Sequence, residues 1–383
     1  MGAHKDRPYL RNYPALTIGT LSMTNTFDHG GTIFALARAL GIAPEELSDF
    51  SASINPLGPA PGVREALSAS FDRIVHYPDR EAAELRSALA DFHGVEATGI
   101  VVANGSTELI YLLPRIVQGR RGLIVAPAFS EYARSLERAG WETGYLTLRP
   151  EDGFAFSLEA LEARLAEGVD LLFLCNPANP TGALLPLTVI EKIHTLCRNA
   201  GTFLVIDEAF MDFCEEESAK RVICAGEGGV ILRSMTKFYA IPGLRLGYAM
   251  GPAKVIERCS ALLEPWSVNT TAQVAGVASL ADPEYHALTI RYCAEQRSFL
   301  THGLSSLPGL KPYPSVANYL LVEMRNGLSA AELRDELVKK RILIRDCSNF
   351  VGLDGRFFRV AVHGQDDNCR LLAALDEVLT GAG

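Results

Sequence analysis

Short apolar runs that alternate with helical segments constrain the fold of this chain more than any other feature. Between about residues 99 and 250 these runs are unbroken rather than alternating in polarity, which is typical of strands covered on both faces. Stretches with helical spacing, such as residues 158–166 and 187–200, separate them. The pattern predicts a mainly parallel, seven-stranded sheet in an α/β layer architecture. The predicted strands cover residues 100–103, 123–126, 144–148, 171–175, 203–206, 230–233 and 246–250.

The regular alternation of predicted strands and helices ends after about residue 275, where we predict a smaller α+β domain. Its predicted elements are helices over residues 285–304, 330–340 and 366–379, and strands over residues 318–322, 342–344 and 357–362. The predicted organisation is an N-terminal arm over residues 1–50, a large α/β domain over residues 51–273 and a small C-terminal domain over residues 274–383. Patterned sequence begins near Phe27, so both Met1 and Met23 stay open as the start.

The charge balance argues against a nucleic acid or an anionic membrane surface as a partner. The 383 residues contain 36 basic and 45 acidic side chains, a formal net charge of −9, and no block of Lys or Arg occurs. No apolar run approaches the roughly 20 residues that a membrane-spanning helix needs. The N-terminal region lacks the apolar core of a secretion signal, so we expect a cytoplasmic protein.

The cysteines argue against metal and disulfide chemistry. Eight of them are scattered along the chain, with no Cys-x-x-Cys spacing and no neighbouring pair of histidines. We therefore expect reduced thiols, most of them in the core, and no metal site.

Polar residues follow several predicted strands, at the carboxyl ends where α/β sheets bind ligands. The sequence Asn-Gly-Ser-Thr over residues 104–107 opens a helix, and its backbone N–H groups either bind a phosphate or only cap that helix. Asn179 lies in a turn that two prolines and a glycine fix. Asp207 directly follows an apolar run, where a buried carboxylate needs a compensating partner, although a helix cap is the alternative interpretation.

Lys237 is the central candidate. A lone lysine is usually a solvated surface residue, but Lys237 and Ser234 follow a strand of the buried type and precede a Pro-Gly turn and Arg245. A lysine that can form a Schiff base, an acid for a pyridinium nitrogen and donors for a phosphate are what pyridoxal phosphate requires.

Four segments in a fixed order carry a resemblance to a known family. They read Asn-Pro-Ala-Asn-Pro-Thr-Gly (176–182), Asp-Glu-Ala-Phe (207–210), Ser-Met-Thr-Lys (234–237) and Pro-Gly-Leu-Arg-Leu-Gly-Tyr (242–248). Together they resemble the fold-type-I pyridoxal-phosphate enzymes of the aspartate aminotransferase superfamily. Further segments at 29–31, 49–58, 237–242, 265–269 and 342–345 resemble the threonine-phosphate decarboxylases of cobalamin biosynthesis within it. Histidinol-phosphate aminotransferases are similar too, and the resemblance covers the chain from about His29 onward.

The resemblance implies a role for each residue around the cofactor. Lys237 would bind pyridoxal phosphate covalently, and Asp207 would pair with its protonated ring nitrogen. Asn179 would hydrogen-bond its phenolic oxygen, and Phe129 would stack on its ring. The residues implied for its phosphate are Gly105, Ser106, Thr107, Ser234 and Arg245, together with Tyr77 from the partner subunit of a homodimer.

The resemblance also implies a substrate that is a small phosphorylated amino acid. Arg359 would bind the α-carboxylate with its planar fork, close to Asn179, and Arg345 would bind the substrate phosphate. The residues implied to complete that phosphate pocket are His29, Gly30 and Ser53.

Two positions depart from the patterns of the relatives. Ser53 stands where the family has asparagine, so this contact differs. Phe210 stands where aminotransferases have tyrosine, and phenylalanine cannot donate a hydrogen bond to the phenolic oxygen.

Three activities stay open at this point. The first is decarboxylation of L-threonine O-3-phosphate to (R)-1-aminopropan-2-yl phosphate, which Phe210 favours. The second is transamination of histidinol phosphate or a similar phosphorylated substrate. The third is a non-catalytic sensor that only binds pyridoxal phosphate, but the roughly 28 irregular N-terminal residues are too few for a DNA-reading module.

Overall fold

The computed structural model describes residues 30–325 and 327–381. Its strands are β1 (Ser48–Asp49), β2 (Ile100–Ala103), β3 (Arg121–Ala126), β4 (Glu142–Thr147), β5 (Leu171–Cys175), β6 (Phe203–Asp207), β7 (Gly229–Ser234), β8 (Gly247–Met250), β9 (Leu310–Pro312), β10 (Tyr319–Met324), β11 (Ile342–Leu343), β12 (Arg345–Asp346) and β13 (Phe357–Ala361). Its α-helices are α1 (Ile33–Leu40), α2 (Pro61–Ala69), α3 (Ala83–His93), α4 (Ser106–Ile116), α5 (Glu131–Arg138), α6 (Leu158–Leu165), α7 (Leu187–Ala200), α8 (Lys220–Ala225), α9 (Ala253–Leu262), α10 (Thr270–Leu280), α11 (Pro283–Ser306), α12 (Ala330–Lys339) and α13 (Gln365–Gly381).

Seven strands form one large sheet in the order β2-β8-β7-β6-β5-β3-β4. Strands β3 to β7 pair in parallel, and β8 is antiparallel to both of its neighbours, β2 and β7. All seven predicted strands are present. The predicted fold class, a mainly parallel seven-stranded sheet with a smaller α+β part, is confirmed.

Apolar side chains bury the large sheet from both sides, which explains the unbroken apolar runs of the sequence. Along β6, Leu204 and Ile206 contact one apolar cluster, and Val205 between them contacts another cluster on the opposite face. Strands β2, β5 and β7 are buried at every position. Side chains alternate between the two faces of a strand, and both faces of this sheet are buried. Apolar residues are therefore favoured at consecutive positions along each strand.

The second sheet is antiparallel, in the order β12-β13-β10-β9. Of the predicted strand over residues 342–344, Ile342 and Leu343 form β11, which pairs in parallel with β1, whereas β12 begins only at Arg345 and pairs with β13. Phe50, which follows β1, packs into the core of this sheet. Residues 48–50 therefore contact the C-terminal part of the chain, and the exact domain limits stay a prediction.

Two features are absent from residues 30–325 and 327–381, the part of the chain that the structure describes. No helix within them is long and apolar enough to cross a membrane. They also contain no group of three or more His, Cys, Asp or Glu side chains that could hold a metal ion.

Candidate active site

A cavity opens at the carboxyl ends of β5, β6 and β7, facing the small sheet. Cys175, Asp207 and Ser234 end these three strands and line it. His29 lies outside the described residues, and Tyr77 is not part of the lining. The other predicted site residues all line this one cavity: Gly30, Ser53, Gly105, Ser106, Thr107, Phe129, Asn179, Asp207, Ser234, Lys237, Arg245, Arg345 and Arg359.

The charged side chains of this cavity are mostly cationic, although the chain as a whole is acidic. The described lining contains one acid, Asp207, and the four cations Lys237, Arg245, Arg345 and Arg359. Positively charged side chains that are buried close together need anionic partners. The cavity is therefore suited to ligands that carry several negative charges.

One end of the cavity is an anion site at the start of α4. Gly105 precedes this helix with a φ of 82°, a conformation that favours glycine, and a Cβ there would lie 2.8 Å from Nη2 of Arg245. The Arg245 guanidinium therefore lies beside Gly105, at the start of this helix. Ser234 and Thr236 add two hydroxyl groups, whose oxygens are 2.8 Å apart. These features provide the donors that a phosphate needs.

Asp207 is buried at the end of β6 with one donor on each carboxylate oxygen. The hydroxyl of Tyr132 donates to Oδ2 over 2.6 Å, and the backbone N–H of Ala209 donates to Oδ1 over 3.0 Å. Burial raises the pKa of the Asp207 carboxyl, while these two donors and the nearby Lys237 act in the opposite direction. A cation held against this carboxylate would offset its cost of desolvation.

Lys237 lies three residues beyond β7 and lines the same cavity. Burial, together with the charges of Arg359 and Arg245, lowers the pKa of its amine to about 8. Near neutral pH, an amine with this pKa is neutral in a much larger fraction of molecules than an ordinary lysine amine. It can therefore act as a nucleophile toward an aldehyde.

Arg359 reaches the cavity from β13 and is fixed by partners in two other parts of the chain. Its Nη1 donates to Oδ1 of Asn179, and its Nη2 donates to the carbonyl oxygen of Ser51 over 3.0 Å. Its buried Nε has no hydrogen-bond partner among the described residues. The guanidinium thus keeps donor capacity for a ligand.

Arg345 lies on β12 and is held by its own loop. Its Nη1 donates to the carbonyl oxygen of Asp346 over 2.7 Å, and its Nη2 donates to Oδ1 of Asn349 over 2.8 Å. The guanidinium carbon lies 5.2 Å from the ring centre of Phe350. Asn349 and Phe350 also line the cavity.

Gly30 and Ser53 line the same cavity as Arg345 and Arg359. A Cβ at Gly30 would lie 2.0 Å from the carbonyl oxygen of Ser51, so only glycine fits this approach. Ser53 is 2% exposed, and its hydroxyl has no hydrogen-bond partner among the described residues. An unpartnered buried hydroxyl beside a cavity is suited to a polar ligand.

Tyr77 lies on the surface of this subunit. It is 79% exposed and stacks on Trp266, with ring centres 4.7 Å apart. Phe71, Ile74 and Val75 nearby are exposed as well. An apolar surface of this kind is typical of a protein interface.

Sequence reasoning missed Tyr132 and Asn349. Tyr132 has the appearance of an ordinary core aromatic at the start of α5, and only its contact with Asp207 reveals a link to the site. Asn349 lies in a loop, four residues after Arg345, and no motif marks it. The only indication in the sequence was that Asn349 follows Arg345, a predicted phosphate ligand, by four residues.

The residues present fit pyridoxal phosphate. The cavity combines a buried carboxylate that needs a cation, an amine of lowered pKa and an anion site at a helix start. Phe129 lines the same cavity, and its aromatic ring is suited to stacking on a flat ligand ring. Asp207, Lys237, Asn179 and Phe129 would hold the ring, and the anion site would hold the phosphate.

Comparisons with known proteins agree with this geometry. The family model of aminotransferase class I and II matches residues 45–375. A threonine-phosphate decarboxylase of Salmonella typhimurium is 42% identical over 355 residues, which cover 92% of this chain and 97% of that protein.

Two solved structures resemble the fold closely. The L-threonine-O-3-phosphate decarboxylase from Porphyromonas gingivalis has a TM-score of 0.76 at 30% identity, covering 86% of this chain and 99% of that chain. The histidinol-phosphate aminotransferase from Clostridium acetobutylicum has a TM-score of 0.82 at 27% identity, covering 88% of this chain and 100% of that chain.

Proposed function

This chain belongs to the aminotransferase class I and II family, and within that family we propose that it decarboxylates L-threonine O-3-phosphate with pyridoxal phosphate. The products are (R)-1-aminopropan-2-yl phosphate and CO2, and the step belongs to cobalamin biosynthesis. The identity with the Salmonella typhimurium relative over nearly the whole of both chains supports this assignment.

The observation that carries the proposal is the pairing of Arg345 with Arg359. The two residues are direct partners on the antiparallel strands β12 and β13, and both are buried in the cavity wall. Like charges directly opposite each other are unfavourable unless anions lie between or beside them. A substrate with a carboxylate at one end and a phosphate at the other satisfies both arginines.

Bound pyridoxal phosphate supplies an electron sink for the charge that develops on the substrate α-carbon. The chain decides which bond at that carbon breaks, because the bond held perpendicular to the cofactor ring is the one that cleaves. Arg359 grips the carboxylate, and its contacts with Asn179 and Ser51 fix the direction of that grip. Asn179 would also hydrogen-bond the phenolic oxygen of bound pyridoxal phosphate. The residues that hold the carboxylate and the cofactor ring would then be in direct contact with each other.

Phe210 favours decarboxylation over transamination. Its ring is buried in the cavity wall, with its centre 4.8 Å from that of Tyr319. The Tyr319 hydroxyl, which is next to Phe210, donates to the carbonyl oxygen of Ala178. The phenolic oxygen therefore receives one donor fewer than in an enzyme with tyrosine at this position.

We propose further that the active unit is a homodimer in the cytoplasm. The exposed patch of Phe71, Ile74, Val75 and Tyr77 supports an interface, in which Tyr77 reaches the phosphate site of the partner subunit. The eight free cysteines support a reducing compartment.

Product analysis tests the assignment. Purified holoenzyme with L-threonine O-3-phosphate should form 1-aminopropan-2-yl phosphate without any keto acid. Histidinol phosphate with 2-oxoglutarate should give little turnover. Turnover of that second pair alone would establish the aminotransferase instead.

A further inference from the structure

One buried tyrosine lies behind the arginine that is assigned to the substrate carboxylate. Tyr319 begins β10, is 0% exposed and is not part of the cavity lining. We propose that Tyr319 is a positioning residue that fixes the orientation of the Arg359 guanidinium, and with it the orientation of the bound carboxylate. The inference rests on the proposed function, because it assumes that Arg359 binds the carboxylate of threonine phosphate.

The register of the small sheet brings Tyr319 and Arg359 together. Strands β10 and β13 are antiparallel, with Leu321 opposite Arg359 and Tyr319 opposite Ala361. Because Tyr319 and Leu321 are two residues apart, their side chains lie on the same face of the sheet as that of Arg359. The guanidinium carbon of Arg359 lies over the Tyr319 ring, 5.0 Å from the ring centre. The negative face of an aromatic ring attracts such a cation, most strongly where water is excluded.

The hydroxyl group of Tyr319 holds the turn that carries the other partner of Arg359. It donates to the carbonyl oxygen of Ala178 over 2.8 Å, and Asn179, the next residue, accepts a hydrogen bond from Nη1 of Arg359. Burial raises the pKa of the Tyr319 hydroxyl well above its ordinary value, so the phenol keeps its proton and stays a donor. Tyr319 therefore contacts the guanidinium with its ring and the turn of Asn179 with its hydroxyl group.

The ring supplies a constraint that the hydrogen bonds of Arg359 do not. Those bonds run from Nη1 to Asn179 and from Nη2 to the carbonyl oxygen of Ser51, and both acceptors lie in turns. A planar guanidinium held at two edge atoms can still tilt about the line that joins them. An aromatic ring against one face of the guanidinium opposes that tilt.

A tilted carboxylate has a chemical consequence that can be measured. When the Cα–H bond is perpendicular to the cofactor ring, the α-proton is lost in place of CO2. Return of that proton to the cofactor and hydrolysis by one water molecule leave the amino group on the cofactor as pyridoxamine phosphate. The other product is 2-oxo-3-phosphonooxybutanoate. We expect this side reaction to increase when Arg359 is held less firmly.

The test introduces phenylalanine, or phenylalanine with one, two or three ring fluorine atoms, at position 319 of the full-length holoenzyme. Tyr319→Phe removes only the hydroxyl group, and each fluorine atom then weakens the negative ring face while the shape is nearly unchanged. The pyridoxamine phosphate formed per CO2 released should rise from the parent to Tyr319→Phe and again with each fluorine atom. We expect a rise of about tenfold over the whole series.

Binding of an unreactive ligand gives a second readout. 3-Phosphonooxybutanoate has the carboxylate and the phosphate of the substrate but no amino group, so it cannot react with the cofactor. Its dissociation constant should increase in the same order, by about tenfold for the trifluorinated variant. 3-Fluorotyrosine at position 319 keeps the hydroxyl group as well and covers the case in which the phenylalanine variants do not fold. With it, the dissociation constant should also exceed that of the parent.

Tyr313→Phe is the matched control, because Tyr313 is a buried tyrosine outside the cavity lining and donates to Glu323 over 3.0 Å. It should change neither the product ratio nor the dissociation constant. A role of Tyr319 in packing alone predicts no trend with fluorine number, since the side chains have nearly the same size. Values that do not change along the fluorinated series, or with 3-fluorotyrosine, overturn the inference. A parent protein that releases no CO2 from threonine phosphate would instead overturn the proposed function.

Discussion

Arg345 and Arg359 face each other across the antiparallel pair β12 and β13, and both guanidinium groups line one cavity. Each is held by neutral oxygens, of Asp346 and Asn349 for the first and of Ser51 and Asn179 for the second. These oxygens help to orient the two guanidinium groups. We propose that this pair binds a doubly anionic substrate.

Replacement of Arg345 should reduce the preference for phosphorylated threonine. A hydrogen bond between charged groups contributes about 1.5–3 kcal/mol, so Arg345→Ala should lower kcat/KM for L-threonine O-3-phosphate about 10- to 100-fold. The much lower kcat/KM for free L-threonine should change little. Steady-state kinetics with both substrates measure the ratio. Arg356→Ala is the control, because Arg356 pairs with Asp354 at the surface. An unchanged ratio in Arg345→Ala would contradict the assignment of the phosphate to this residue.

Lys237 should make the stability of the cofactor-free protein depend on pH. Burial lowers its pKa to about 8, from an ordinary value of 10.5. Between these values the unfolded chain binds more protons than the folded chain, so the free energy of unfolding rises with pH from about 8 to about 10.5. Below pH 8 the amine is protonated in both the folded and the unfolded chain, so the full cost of burying its charge lowers the free energy of unfolding.

Urea unfolding of the cofactor-free protein from pH 7 to pH 10 measures this dependence. In Lys237→Met the rise between pH 8 and pH 10 should be smaller than in the parent protein. Equal slopes for the two proteins would show that the Lys237 amine titrates normally. Borohydride reduction of the holoenzyme should also attach the cofactor to the peptide that contains Lys237.

Arg233 should be essential for stability although it lies outside the cavity. It is 0% exposed and contacts three carboxylates, with Nε 3.0 Å from Glu208 and Nη1 2.7 Å from Glu215 and 3.6 Å from Asp212. Arg233→Met leaves these acids together without their central cation, which should cost about 3–5 kcal/mol. Lys339→Met, which removes an exposed ion pair with Glu336, should cost less than about 1 kcal/mol. Chemical denaturation compares the two, and similar losses would contradict the assigned importance of the buried cluster.

Mixing two inactive variants should restore activity if Tyr77 serves the partner subunit. In a hybrid of Lys237→Ala and Tyr77→Ala, one of the two sites regains both an intact Lys237 and an intact Tyr77. Random pairing of equal amounts should give about a quarter of the parental activity. A mixture of Lys237→Ala with Asp207→Ala should stay inactive, because both residues belong to the same subunit's site. A fully active Tyr77→Ala protein on its own would refute the shared site.

The sequence located the large sheet well because each strand is buried on both faces. Strands β2 and β5 have the predicted limits, and β7 extends one residue further at each end, where pairing with β6 and β8 continues beyond the apolar run. The short strands β1, β9 and β12 were missed. Two or three residues hold too little pattern to indicate a strand. Their pairing depends on distant parts of the chain.

The site residues could be predicted where a polar or charged side chain stands at or just after the end of an apolar run. Asp207 and Ser234 end apolar runs, and Lys237 follows three residues later, so their meeting at one sheet edge was foreseeable. The contact between Tyr132 and Asp207 was not, because it joins a helix to a strand that is 75 residues away in the chain. Nor does the sequence show that Arg345 and Arg359 are opposite each other, since strand register depends on the turn between them.

Release of CO2 from carboxyl-labelled L-threonine O-3-phosphate tests the central claim most directly. The holoenzyme is incubated with an excess of this substrate and no keto acid, and the labelled CO2 is counted per subunit. We predict many equivalents of CO2 per subunit, with the matching amount of 1-aminopropan-2-yl phosphate. Release of less than one equivalent, with turnover appearing only when 2-oxoglutarate and an amino donor are supplied, would contradict the account and identify an aminotransferase.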